Sequence, residues 1–149
     1  MTKKRKIWLG VLCLVTLLWT AFIFSRSMQT GSESSEASGR LTALLQAILG
    51  VLVSEHLVRK LAHFAEYAIL ALPATGALLM TDRRWLPPFA WVYAILVASV
   101  DEFVVQAMTE GRGPQLADVL IDGAGALAGL LFTVALVWLL RRIRVRKHQ

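Results

Sequence analysis

The stretch "RKLAHFAEYAIL", residues 59–70, sets Lys60, His63 and Tyr67 three and four positions apart. On a helix that spacing puts them on one face, with Glu66 flanking it. Two later segments carry the same kinds of group. In "SVDEFVVQ", Glu102 and Gln106 share a face with Asp101 one position round; in "GPQLADVLIDGAGALAG", Asp118 and Asp122 share one with Gly125, Ala126 and Gly129. A histidine among carboxylates suits proton transfer or metal ligation, which makes His63, Glu66, Asp101 and Glu102 the catalytic candidates. Bases beside them suit anionic oxygens. Arg112, between Gly111 and Gly113 and just before Pro114, is placed to fold back onto the acids or to offer its planar fork to a phosphate or carboxylate outside.

The elements that must position these groups read as membrane. With 149 residues, 56% of them apolar, and a mean hydropathy of +0.60, the chain is one small all-α membrane domain over residues 1–149. Four transmembrane helices are expected at about 7–24, 57–80, 86–108 and 115–140, with an external loop and short helix within about 25–56. The first apolar run is too long for a secretory core of roughly 7 to 15 residues, and "FIFSRSMQ" offers no small-x-small cleavage site, so it is a retained anchor. "SRSMQTGSESSEASG" is polar and without period, which predicts an external, partly disordered loop. Leu41, Leu44, Leu45, Ile48, Leu49, Leu52 and Val53 then follow helical spacing over about 13 residues, too few to cross a ~30 Å core. That segment is expected to be an external amphipathic or re-entrant helix on the membrane; the plainer reading is a lid packed on the bundle. Pro73 should kink the second span, and the prolines of "WLPP" suit the start of the third, with Trp85 and Trp91 near the interface.

Charge follows the same plan. Eleven of the sixteen bases form three blocks that flank spans: Lys3, Lys4, Arg5 and Lys6; Arg83 and Arg84; and Arg141, Arg142, Arg144, Arg146 and Lys147. Short basic flanks resist translocation, so these blocks predict both termini in the cytoplasm. Of the ten acids only Asp82, read as a turn residue, falls on that side. The basic pI is therefore topology, with no nucleic-acid partner implied. The single Cys13 excludes an intrachain disulfide and a cysteine metal site.

Ionisable side chains within spans cost several kcal/mol each and usually face the protein interior or a wet cavity. At a rise of about 1.5 Å per residue, Glu66 lies roughly 10 Å inward from Arg59, Asp101 about 10 Å inward from Met108, and Asp122 about 9 Å inward from Leu116. Three helices thus bring an acid to one depth. The expected ligand-binding set is Lys60, His63, Glu66, Tyr67, Asp101, Glu102, Gln106, Arg112, Asp118 and Asp122. Five acids against Arg59, Lys60 and Arg112, plus His63, cannot all remain ionised and unpaired in a dry pocket. They require paired bases, altered protonation, a bound cation or a ligand with a positive group. The alternative is that they only tie helices together.

These residues are also those by which the chain resembles the VanZ-like family, small bacterial membrane proteins named for a glycopeptide-resistance accessory protein. The matching pieces, in order, are "FSRSMQ", "RKLAHFAEYAIL", "SVDEFVVQAMTEGRGPQLADVLID" and "GAGALAG". The family pattern falls on Lys60, His63, Phe64, Glu66, Tyr67, Asp101, Glu102, Gln106, Gly111, Arg112, Asp118 and Gly125; where this chain has Asp122, members often have asparagine. The resemblance implies a multi-pass protein of the bacterial cytoplasmic membrane, associated in one member with reduced susceptibility to lipoglycopeptide antibiotics of the teicoplanin type. It implies no established reaction.

Two functions compete at this stage. One is an envelope protein whose outer pocket receives the polar head of a membrane lipid or an amphiphilic, lipid-linked ligand: Lys60 and Arg112 on its anionic oxygens, Tyr67 and Gln106 orienting it, the short helix over its acyl part. The other is a membrane-embedded enzyme on a lipid-linked substrate, with a divalent metal among its possible cofactors, although no HExxH-like spacing is present. Proton or ion passage is disfavoured because the inner halves of the spans lack a matching polar chain.

Overall fold

The computed structural model describes residues 1–146 except Val51, Asp82 and Arg84, and of Leu49 only the backbone. Asp82, Arg84 and Lys147, to which the sequence assigns a turn and parts of two basic blocks, thus lie outside the described residues. Five helices follow in order: α1, Lys3–Ser27; α2, Gly31–Leu49; α3, Glu55–Leu79; α4, Pro88–Val100, continued by a π-helical turn Asp101–Val105 and a 3₁₀ turn Gln106–Met108; and α5, Leu116–Arg146. Four stretches, Lys3–Ser27, Glu55–Leu79, Pro88–Met108 and Leu116–Arg146, are long and apolar enough to cross a membrane. They agree with the expected spans to within a few residues except at the ends of the outer two, where the helices run on into the basic flanks.

The distribution of side-chain size explains how these helices meet without a water-driven core. Buried positions are dominated by alanine (Ala71, Ala74, Ala77, Ala90, Ala94, Ala98, Ala126), whereas Leu14, Leu17, Leu18, Leu96, Leu131 and Phe132 point outward. Small faces let backbones approach, and that approach drives association in lipid. It goes furthest between α3 and α5, where a Cβ on Gly125 would meet the Phe64 carbonyl and one on Gly129 the Ala68 carbonyl. Two indoles add ties to backbone: Trp19 Nε1 donates to the Glu66 carbonyl and Trp91 Nε1 to the Gly123 carbonyl, each at 2.9 Å. Trp91 thus has a packing role beside the interfacial one read from the sequence. α3 is helical straight through Pro73.

One expectation is overturned. The stretch read as a partly disordered loop is helical from Gly31 onward. Its start is a capping box: the Thr30 hydroxyl accepts the Glu33 N–H at 3.3 Å while Glu33 Oε2 accepts the Thr30 N–H at 2.9 Å. The turns that follow then dock, with Arg59 of α3 donating to Ser35 Oγ at 2.8 Å and Ser38 Oγ at 3.4 Å. The helix ends where Gly50 takes the left-handed conformation at φ +66°. Its orientation bears on the two readings of the apolar stripe. Ser34 and Thr42 are buried, but Leu41, Leu44 and Ile48 face away from the bundle. α2 therefore packs on the protein through hydroxyl groups, with Leu45 half-buried, and leaves Leu41, Leu44 and Ile48 outward, which fits a helix resting on a membrane better than an apolar lid.

Glu33 has its carboxyl held below the usual carboxylate range, first by the Thr30 backbone N–H and then by the Thr30 hydroxyl. A depressed folded-state pKa stabilises above the unfolded value and is lost as pH falls through the folded one. Acidification below that range is expected to loosen residues 31–36, and Glu33→Gln to remove the pH dependence; amide exchange compared between wild type and variant at each pH checks this.

Candidate functional site

The four spans bring one end each to the same place, away from both chain ends: the last turn of α1, the first turns of α3, the end of the α4 segment and the first turns of α5. Bonds to backbone carbonyls lock this end, since the Gly31 N–H donates to the Glu110 carbonyl at 2.9 Å and the Thr109 hydroxyl to the Ser27 carbonyl at 3.4 Å.

The π-helical turn solves a problem the sequence left open. Adjacent residues on an α-helix point about 100° apart, so Asp101 and Glu102 should not both face inward. Widening the backbone at Asp101–Val105 turns both in, at 0% and 1% exposure. Gln106 then serves the two: its Nε2 donates to Asp101 Oδ2 at 3.1 Å and to Glu102 Oε2 at 2.7 Å. Asp101 Oδ2 also accepts Ser27 Oγ at 2.8 Å, and Glu102 Oε1 accepts the Gln115 backbone N–H at 2.6 Å. Arg112 folds back, its Nη1 donating to Gln106 Oε1 at 3.2 Å and to the Ser27 carbonyl at 3.4 Å. Burial lowers its pKa from the ordinary guanidinium range, with Arg59 adding to the shift and Asp101 and Glu102 opposing it. Ser27→Ala is expected to cost roughly 1–3 kcal/mol by stripping a donor from a buried carboxylate, read as a lower melting temperature in detergent.

On the other side Lys60 Nζ pairs with Asp118 Oδ1 at 2.7 Å, bridging α3 to α5. His63 Nδ1 stands 3.6 Å from Asp122 Oδ1, within ion-pair reach but too long for a hydrogen bond. Beneath the charged rim several fully buried polar atoms have no hydrogen-bond partner: Tyr67 Oη, Asp101 Oδ1 and both Asp122 oxygens.

Two small cavities open among these groups, of about 40 Å³ and 110 Å³. Arg59, His63 and Arg112 line both. Arg26, Ser27 and Glu66 are among the others in the first, Lys60, Gln106 and Asp118 among those in the second. Pairing decides which charges remain for a ligand. Arg59 is taken up by Glu55 at 2.7 Å and Lys60 by Asp118. Arg26 and Glu66 line one cavity without an ion pair or side-chain hydrogen bond among the described residues, and Arg112 has only neutral partners. Also among the described residues, no three His, Cys, Asp or Glu side chains are grouped to hold a metal ion.

All ten residues singled out from the sequence gather at this end, in different states. Lys60 has its charge engaged by Asp118, so the free bases are Arg112 and a residue the sequence reading passed over, Arg26. Ser27, also passed over, donates from α1 to the buried Asp101. Both stand in "FSRSMQ", where a polar triplet ends an apolar run at the depth of the acids, and that was the available signal.

A bundle of four apolar helices with small inner faces and a charged, partly hollow end is a multi-pass membrane protein with a polar pocket at one end. The chain belongs to the VanZ/LLP1 family, whose model matches residues 12–140. Neither the curated proteins nor the solved structures give a match.

Proposed function

We propose that this end of the bundle faces outward from the bacterial cytoplasmic membrane, with both termini in the cytoplasm, and binds the anionic head of a membrane lipid or of an amphiphilic, lipid-linked envelope ligand. The observation that carries the reading is the pair of guanidiniums, Arg26 and Arg112, lining one cavity at the rim of an apolar bundle with no carboxylate engaged. Guanidinium forks match phosphate and carboxylate oxygens bidentately, and a half-buried one without an acid costs desolvation energy that such a ligand offsets. The orientation is supported by the basic flanks of α1 and α5 at the opposite end. The outward leucines of α2 would lie in the headgroup layer beside the cavity. Teicoplanin-type lipoglycopeptides, themselves amphiphilic, fall within this class, and reduced susceptibility to them on expression is part of the reading.

The test is mass spectrometry of the intact protein released from the membrane. A lipid or lipid-linked adduct is expected with wild type and lost with Arg26→Ala and with Arg112→Ala at unchanged melting temperature. A second reading, an enzyme using His63 and Asp122 as an acid–base pair, draws on their 3.6 Å approach. It is favoured instead if the adduct is chemically altered by wild type and intact on His63→Gln; adducts that survive both arginine variants would end the headgroup reading.

A further inference from the structure

The proposed headgroup pocket carries a further specificity. Its smaller cavity is lined by groups of both signs that form no ion pair among the described residues: Arg26 and Arg112, and Glu66. Arg26 and Glu66 attract each other through space but form no ion pair within 4.0 Å. Half-buried charges of opposite sign that do not pair keep part of their desolvation cost, and a ligand carrying both signs offsets it at both.

Two more acids stand behind the same cavity wall. His63, in the cavity wall, leads to Asp122, which is fully buried with neither oxygen hydrogen-bonded; Ser27, also in the wall, leads to Asp101, fully buried with Oδ1 free. An anion alone would engage the two guanidiniums and leave Glu66 in the same cavity as a like charge. A cation alone would leave the guanidiniums unanswered.

Resting on the headgroup reading, we infer that the pocket selects a zwitterion: a phosphodiester carrying a short amine, with the phosphate on Arg26 and Arg112 and the ammonium directed to Glu66. Charge-assisted hydrogen bonds from the ammonium give the preference over a phosphodiester ending in hydroxyls, which offers Glu66 only neutral donors. The Lys60–Asp118 bridge closes the neighbouring side without adding net charge.

The experiment titrates purified protein in detergent with three probes: dihexanoyl phosphatidylethanolamine, dihexanoyl phosphatidylglycerol and chainless glycerophosphoethanolamine. Wild type is expected to bind the ethanolamine lipid about tenfold more tightly than the glycerol lipid. Glu66→Gln, nearly isosteric, should bring the two affinities together without weakening the glycerol lipid, while Arg26→Gln should weaken both; melting curves confirm that each variant is folded. Equal affinity for the two lipids in wild type, or a preference that survives Glu66→Gln, overturns the zwitterion. Binding of the chainless probe as tight as the ethanolamine lipid keeps the zwitterion and moves its source from the bilayer to a soluble compound. Binding of none of the three ends both this inference and the headgroup reading beneath it.

Discussion

Gly129→Leu is expected to leave almost no folded protein to extract from the membrane. The added Cβ would meet the Ala68 carbonyl and come to 3.0 Å from the Ala71 Cβ, and neither is the end of a flexible side chain. α5 must therefore move off α3 as a body, taking Asp118 away from Lys60 and Asp122 away from His63. Overpacking costs about 1–3 kcal/mol where neighbours can adjust, and more where a backbone blocks the way. Gly129→Ala, with the same Cβ, should already lower the melting temperature. Gly10, whose Cβ would meet nothing within 4 Å, is the control. The measurement is monodisperse yield and melting in detergent; a Gly129→Leu protein that melts with wild type would mean that the α3–α5 contact is looser than described.

Glu102→Leu is the second large effect, and it reaches the cavity through a chain of bonds. Glu102 is 1% exposed and accepts from Gln106 and from the Gln115 backbone N–H, just ahead of α5. Leucine leaves both donors buried without an acceptor, at roughly 1–3 kcal/mol each. Gln106 then no longer holds its amide oxygen toward Arg112, so a guanidinium of the cavity loses its position. The expected outcome is a melting temperature lowered by several degrees together with loss of any bound lipid. Glu102→Gln, which keeps an acceptor, should be far milder in both. Equal damage from the two substitutions would show that charge at this position, rather than hydrogen bonding, holds the loop.

The sequence made the larger geometry legible for a physical reason: apolar runs of membrane length and expensive acids at matched distances from span ends are both properties of single helices. The gathering of Glu66, Asp101 and Asp122 needed only the helical rise. Three other features depend on neighbours. The π-helical turn that brings Asp101 and Glu102 inward together departs from the regular period on which the reading relied. The engagement of Lys60 by Asp118 and the freedom of Arg26 follow from which side chain across the bundle arrives first. The onset of α2 was locally written in Thr30 and Glu33, but a serine-rich, aperiodic stretch outweighed a capping box that only docking on Arg59 makes durable. Tight glycines at 125 and 129 were visible as a small face, though not as seats for two particular carbonyls.

The serine-faced docking of α2 leaves Leu41, Leu44 and Ile48 looking away from the protein, and the same helix supplies Ser34 to the cavity wall and Ser35 to Arg59. Under the proposed outward orientation, a helix moored by its greasy side at the waterline of a leaflet would fix the doorway at that height. Traffic through it would then be two-dimensional: what arrives would be set by the mole fraction of a molecule in the surrounding leaflet, and dilution of the bulk medium would leave it untouched.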